Sequence, residues 1–270
     1  MENKTKIQSL PAATKNISDI GKLYDEEHNG LILTPEKIYS SKLVTYKGSL
    51  KDCKITISDY VATLLLRDME KFQKIAPCKT YRSYIVEDHQ KQKYFDEVTN
   101  REEERFAKAL FHVHKNKKEF LEGTDLGHIK DFQSPIVRNK TKKEAKSGTG
   151  KIDLISVSSK NKKNYLLELK YLDNTENLLR AVCEIFTYSK QIDHTQLRDE
   201  LGNQYPVVPA VLVFSDCLQH LQYDCEQYYG KVKELMNKLG IEMFVISYDR
   251  EIQNESMLEF AQRCEIKLCK

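Results

Sequence analysis

The stretch YLLELKY, Tyr165–Tyr171, decides how the chain is read. It is an apolar run of strand length that carries a glutamate and a lysine two residues apart, Glu168 and Lys170. Taking an unpaired charge out of water is costly, so two charges inside a buried strand need partners or a task. Strand side chains alternate between faces, which puts Leu166, Glu168 and Lys170 on one face and Leu167 and Leu169 on the other. Glu168 and Lys170 are then neighbours, about 7 Å apart along the strand. Just upstream, KIDLISVS (Lys151–Ser158) reads as a second strand, interrupted in the same way by Asp153. The lysine-rich turn SKNKKN joins the two as a hairpin. If that hairpin brings Asp153 beside Glu168, two carboxylates share one half-buried patch. They cannot both stay ionised there without a cation between them. A hard divalent ion such as Mg²⁺ takes oxygen ligands of this kind, and Lys170 would orient a water or stabilise charge on a phosphate.

Outward from the hairpin, an α/β pattern emerges. Before it, residues 86–117 form a strongly charged helical segment with Phe95, Val98, Phe106, Leu110 and Val113 on one face. SPIVRN, after Gly123 and Gly127, is a short strand candidate. After the hairpin come a helix in NTENLLRAVCEIFTYSKQI, a strand in VVPAVLVFS, a helix in CEQYYGKVKELMNKLG with Gly240 as its stop, and a strand in EMFVISYD. The order is helix, three strands, helix, strand, helix, strand, which predicts a central mixed β-sheet flanked by helices over residues 86–270. Residues 1–85 read as an N-terminal α+β extension of unassigned role. Its clearest element is a helix in ISDYVATLLLRDMEKFQKI with Ser58 as the N-cap, and its first 25 or so residues read as polar and loosely ordered.

The trio and its order resemble the PD-(D/E)XK nuclease superfamily. The residues that carry the resemblance are Ile152–Asp153, a gap of fourteen residues, then Glu168-Leu169-Lys170, inside a helix, three strands, helix, strand framework. Ile152 stands where the family name has proline. The resemblance implies a restriction-endonuclease-like core and metal-dependent hydrolysis of phosphodiesters in nucleic acid, DNA ahead of RNA. It implies Asp153 and Glu168 as ligands of Mg²⁺, with Mn²⁺ able to substitute, the Leu169 carbonyl as a further ligand, and Lys170 beside the nucleophile. Many members carry an acid on the helix ahead of the sheet. In REEERFAKALF, Glu103 takes that role, completing the metal shell directly or through water, because it lies three residues before Phe106 and seven before Leu110; Glu102 is its rival. Some members add Gln-x-x-x-Tyr on the following helix. Here Glu184 stands in place of the glutamine and Tyr188 matches, within a polar stripe of Arg180, Glu184, Tyr188 and Gln191.

Composition bounds the remaining classes. Against 43 Lys and Arg stand 40 Asp and Glu, a net charge of +3, which excludes a histone-like mode but allows a local basic face. That face is RNKTKKEAKSGTGK, where Arg138, Lys140, Lys142, Lys143, Lys146 and Lys151 outweigh Glu144 and lead into Asp153. Lys142, Lys143, Lys146 and Lys151 are the phosphate-contact candidates. The seven cysteines include no C-x-x-C pair, which argues against a disulfide scaffold or zinc ribbon. His112 and His114, two apart, cannot share a helix face and receive no metal role. The first ten residues lack a signal-peptide core, and the longest apolar run, VVPAVLVF, is too short to span a bilayer. The expectation is a cytoplasmic protein without membrane contact, its oligomeric state open and a homodimer included. Two other functions fit the same letters: a catalytically silent nuclease-fold subunit that binds nucleic acid, and an α/β protein-interaction module.

Overall fold

The computed structural model describes residues 11–29, 35–78, 83–94, 101–116, 123–136, 150–249 and 256–269. In chain order the first elements are β1 (Ala13–Lys15), α1 (Ile17–Asn29), α2 (Lys42–Thr45), β2 (Ser49–Leu50), α3 (Ile57–Arg67) and α4 (Met69–Phe72). There follow α5 (Glu87–Lys91), α6 (Glu102–Asn116), β3 (His128–Pro135), β4 (Lys151–Ser158) and β5 (Lys163–Lys170). The rest are α7 (Leu178–Gln191), α8 (His194–Leu201), β6 (Val207–Phe214), α9 (Leu218–Asp224), α10 (Glu226–Leu239), β7 (Glu242–Ser247), α11 (Met257–Arg263) and β8 (Glu265–Leu268).

The chain forms two compact units. The first comprises Met1–Ile75, Leu172–Thr187 and Ser215–Ile241, so the N-terminal residues sit with two later insertions from the C-terminal half. Within it α3 packs on α10. The Asp59 carboxylate of α3 accepts the N–H groups of Lys231 (2.6 Å) and Val232 (3.1 Å), just after the non-helical Tyr229 that kinks α10. The start of α3 differs from the expectation. Its N-cap is Thr56, whose hydroxyl accepts from Asp59 N–H, and Ser58 is buried inside the first turn. Thr56 holds the extended backbone that a cap requires, and its hydroxyl reaches the third residue on. Gly240 closes α10 in the left-handed conformation, as its sequence position predicts.

The second unit comprises Ala76–Tyr171, Tyr188–Phe214 and Glu242–Lys270 and holds a mixed six-stranded sheet in the order β3-β4-β5-β6-β7-β8. The β3/β4 and β4/β5 pairs are antiparallel, β5/β6 and β6/β7 are parallel, and β7/β8 is antiparallel. A tight turn at residues 159–162 joins β4 to β5, whereas the parallel pairs need crossovers, which the helical stretches after β5 and after β6 supply. Helix α6 lies against β3, β4 and β5. Its Phe106 anchors an aromatic cluster with Tyr171, Phe214 and Phe260 at ring distances of 5.6, 5.1 and 5.6 Å. β5 is interior and buried on both faces, which explains its leucine-rich run. β3 lies earlier than the SPIVRN expectation: it ends at Pro135, because a segment with Lys130 and Asp131 in succession lacks clean alternation. α11 and β8 extend the pattern beyond the strand in EMFVISYD. Phe95 and Val98 lie outside the described residues.

Candidate active site

Register sets the site. β4 and β5 pair with Leu154 opposite Leu167 and Ile155 opposite Leu166, so one further step puts Asp153 opposite Glu168. Facing residues of an antiparallel pair share a face, so Asp153 lies on the face of Glu168 and Lys170. Beyond Leu154 the Leu169 N–H goes to a side chain: it donates to Asp153 Oδ2 at 2.9 Å. In an extended strand the N–H and C=O of one residue point to the same side, so the Leu169 carbonyl also faces the Asp153 edge. On β3, Phe132 faces Leu154 and Ser134 faces Ile152, which brings Gln133 across from Asp153. Gln133 Nε2 donates to Asp153 Oδ1 at 2.8 Å. A neutral amide and a backbone N–H thus hold one carboxylate oxygen each.

Glu168 and Lys170 are only 4% and 5% exposed. They satisfy one another, with Lys170 Nζ 2.8 Å from Glu168 Oε1. This is the same-face pairing that alternation predicts, on a central strand instead of an exposed edge. The first turn of α6 brings Glu103 Oε2 to 3.8 Å from Lys170 Nζ. The Phe106 cluster fixes this approach, because Phe106 sits one turn beyond Glu103 and packs on Tyr171, the residue after Lys170. Glu103 is half-buried, whereas its rival Glu102 is exposed. Four sequence candidates therefore meet at one end of β4 and β5: Asp153, Glu168, Lys170 and Glu103.

The other candidates are placed differently. Tyr188 is a buried residue of the last turn of α7, packed on Gly150 at the entry to β4. A Cβ on Gly150 would lie 2.3 Å from Tyr188 Cζ and 2.4 Å from its Oη. Gln191 is half-buried, and its carbonyl accepts from Cys78 N–H at 2.7 Å. Glu184 is half-buried within the first unit. Lys151 is exposed at the first position of β4. Lys142, Lys143 and Lys146 lie outside the described residues, as do Arg138, Lys140 and Glu144. Gln133 is the residue that the letters alone did not mark. Its strand was expected several residues later, and no charge in an apolar run flags it.

Asp153, Glu168 and the Leu169 carbonyl offer oxygen only, the donor chemistry of Mg²⁺, which is bound through one or two carboxylates and keeps several waters. Among the described residues no group of three or more His, Cys, Asp or Glu side chains is disposed to hold a metal ion. Among them, too, no helix is long and apolar enough to cross a membrane. Fold and site define an α/β protein with a carboxylate–lysine cluster at one end of a mixed sheet. Compared with models of protein families, with curated proteins and with solved structures, the chain matches none.

Proposed function

We propose that this chain is a metal-dependent nuclease with a restriction-endonuclease-like core, hydrolysing phosphodiester bonds in nucleic acid, DNA ahead of RNA. The observation that carries the proposal is the junction of β4 and β5. There Asp153 takes the Leu169 N–H while Glu168 and Lys170 form a buried ion pair on the same face. The strand and helix order through α6, β3, β4, β5, α7 and β6 supports the same core.

In this reading Asp153, Glu168 and the Leu169 carbonyl would hold Mg²⁺, or Mn²⁺ in its place. Once bound, the ion supplies a water of lowered pKa and offsets charge on the scissile phosphate. Lys170 carries the cationic donor that faces developing negative charge, in a site where burial strengthens each electrostatic contact. Glu168 and Glu103 hold that ammonium in place between two carboxylates. Lys151 and the lysines of residues 138–146 would neutralise flanking phosphates and set the register of the strand without reading its sequence. A second reading, a nucleic-acid-binding subunit without catalysis, draws on one observation: Asp153 and Lys170 already have protein partners, as they would in a satisfied core.

The test is cleavage of plasmid, linear DNA and RNA with Mg²⁺ or Mn²⁺, with chelator as the control. Cleavage by the parent, together with a loss of at least about a thousandfold in Asp153→Ala, Glu168→Ala and Lys170→Ala, is expected for residues that act as one unit. A Lys170→Ala protein that cuts as well as the parent would refute the mechanism. Salt-dependent DNA binding without cutting in either metal would favour the silent subunit.

A further inference from the structure

Two non-glycine residues among those described have positive φ, Lys162 at 52° and Gln133 at 48°. Lys162 lies in the hairpin turn between β4 and β5, where a left-handed residue is ordinary. Gln133 lies inside strand β3. A left-handed conformation there is strained for any residue with a Cβ, and such strain persists only where the surroundings hold it. Glycine would adopt this φ without penalty. It has no side chain, however, and what Gln133 supplies is an amide that reaches across to Asp153 Oδ1 at 2.8 Å. The β3/β4 register continues on both sides of it, with Phe132 opposite Leu154 and Ser134 opposite Ile152. The register shift in this pair lies upstream, between Ile129 and Asp131, so the pairing is regular across Gln133 itself.

We propose that Gln133 is a positioning residue, held in a strained backbone conformation so that its amide and the Leu169 N–H fix the Asp153 carboxylate from two sides. This rests on the nuclease reading above and adds to it the device that sets the metal ligand. A neutral donor suits the task. It fixes Asp153 Oδ1 without cancelling the carboxylate charge, whereas a lysine or arginine at 133 would compete with the cation. Hydrogen bonds that orient ligating carboxylates in this way are worth about ten- to a hundredfold in metal affinity.

The test uses the full chain with Gln133→Gly, which removes the amide and relieves the strain together. One readout is amide hydrogen exchange at Leu169, taken with global stability in urea. The other is Mn²⁺ affinity by titration calorimetry, with no substrate present. The expected outcome is exchange at Leu169 about tenfold faster, global stability equal to or above the parent's, and Mn²⁺ affinity about tenfold lower. Gln133→Ala, which loses the amide and keeps the strain, should show the same two losses with lower stability. Parent-like exchange at Leu169 in the glycine variant overturns the inference, and so does parent-like Mn²⁺ affinity. A parent protein that binds no Mn²⁺ sinks the metal-dependent reading instead, and Leu169 exchange then decides Gln133 by itself.

Discussion

Glu168 and Lys170 concentrate the energetic question at the scale of single residues. Each is almost fully buried, and each is the other's partner at 2.8 Å. Replacing a buried ion pair with apolar residues of similar size is often neutral or stabilising, so stability alone gives a protein little reason to keep one. Removing Lys170 alone is another matter, because Glu168 then stays buried without its lysine partner. Lys170→Met should cost about 3 kcal/mol or more at neutral pH, while the double variant Glu168→Gln/Lys170→Met should recover most of that loss. Urea denaturation of the parent, both single variants and the double variant measures this coupling. Strictly additive losses would mean that the two side chains do not depend on each other. A cooperative pair that can be removed together at small cost to stability, yet whose removal ends cleavage, would place its value in chemistry.

Among the elements, β4 is the one whose position matters most to the site, and Gly150 governs its entry. The chain passes flat against the Tyr188 ring, so closely that a Cβ would lie 2.3–2.4 Å from Cζ, Cε1 and Oη. Gly150 also accepts the Ile136 N–H at 3.2 Å, which continues the β3/β4 pairing past Pro135 and Lys151. Gly150→Ala should therefore destabilise the protein by about 1–3 kcal/mol, the usual cost of overpacking. Tyr188→Leu in the same chain should restore much of it, read as a recovered melting temperature. An unchanged deficit in the double variant would locate the constraint in the backbone and not in the ring. Tyr188 belongs to the polar stripe read from the helix, yet it is buried, and its contact with β4 comes from chain segments far apart in sequence. Helical spacing identifies a stripe but not what lies against it.

For the molecule as a whole, acid stability is a quantity that the buried groups control. His112 of α6 is 4% exposed, and burial, helped by Lys115, Lys108 and His89, pushes its imidazole down to about 4. The unfolded chain takes up that proton near the ordinary value of about 6.5, so between the two values the unfolded state binds more protons. Stability from this group is fully present above about 6.5, falls as pH drops toward about 4, and changes no further below it. The effect should be on the order of 3 kcal/mol, measured as the difference in urea stability between the parent and His112→Phe across that window. A parent and variant with parallel pH profiles would show that His112 does not set the slope.

What the sequence determined by itself was the set of strongly periodic elements and the faces of their side chains. β4, β5, β6 and β7 can be read because apolar runs of strand length have few other uses, and the alternation in YLLELKY by itself puts Glu168 beside Lys170. Gly240 marked the end of α10 because a left-handed residue there has one cheap solution. Only the tertiary structure decided the register that brings Asp153 to the Leu169 N–H and the approach of Glu103 to Lys170. The same holds for the close passage of Gly150 over Tyr188 and the strained backbone at Gln133. Each of these joins residues on different elements, and their meeting depends on how strands pair and helices pack, a sum of small packing energies that no local pattern of letters encodes.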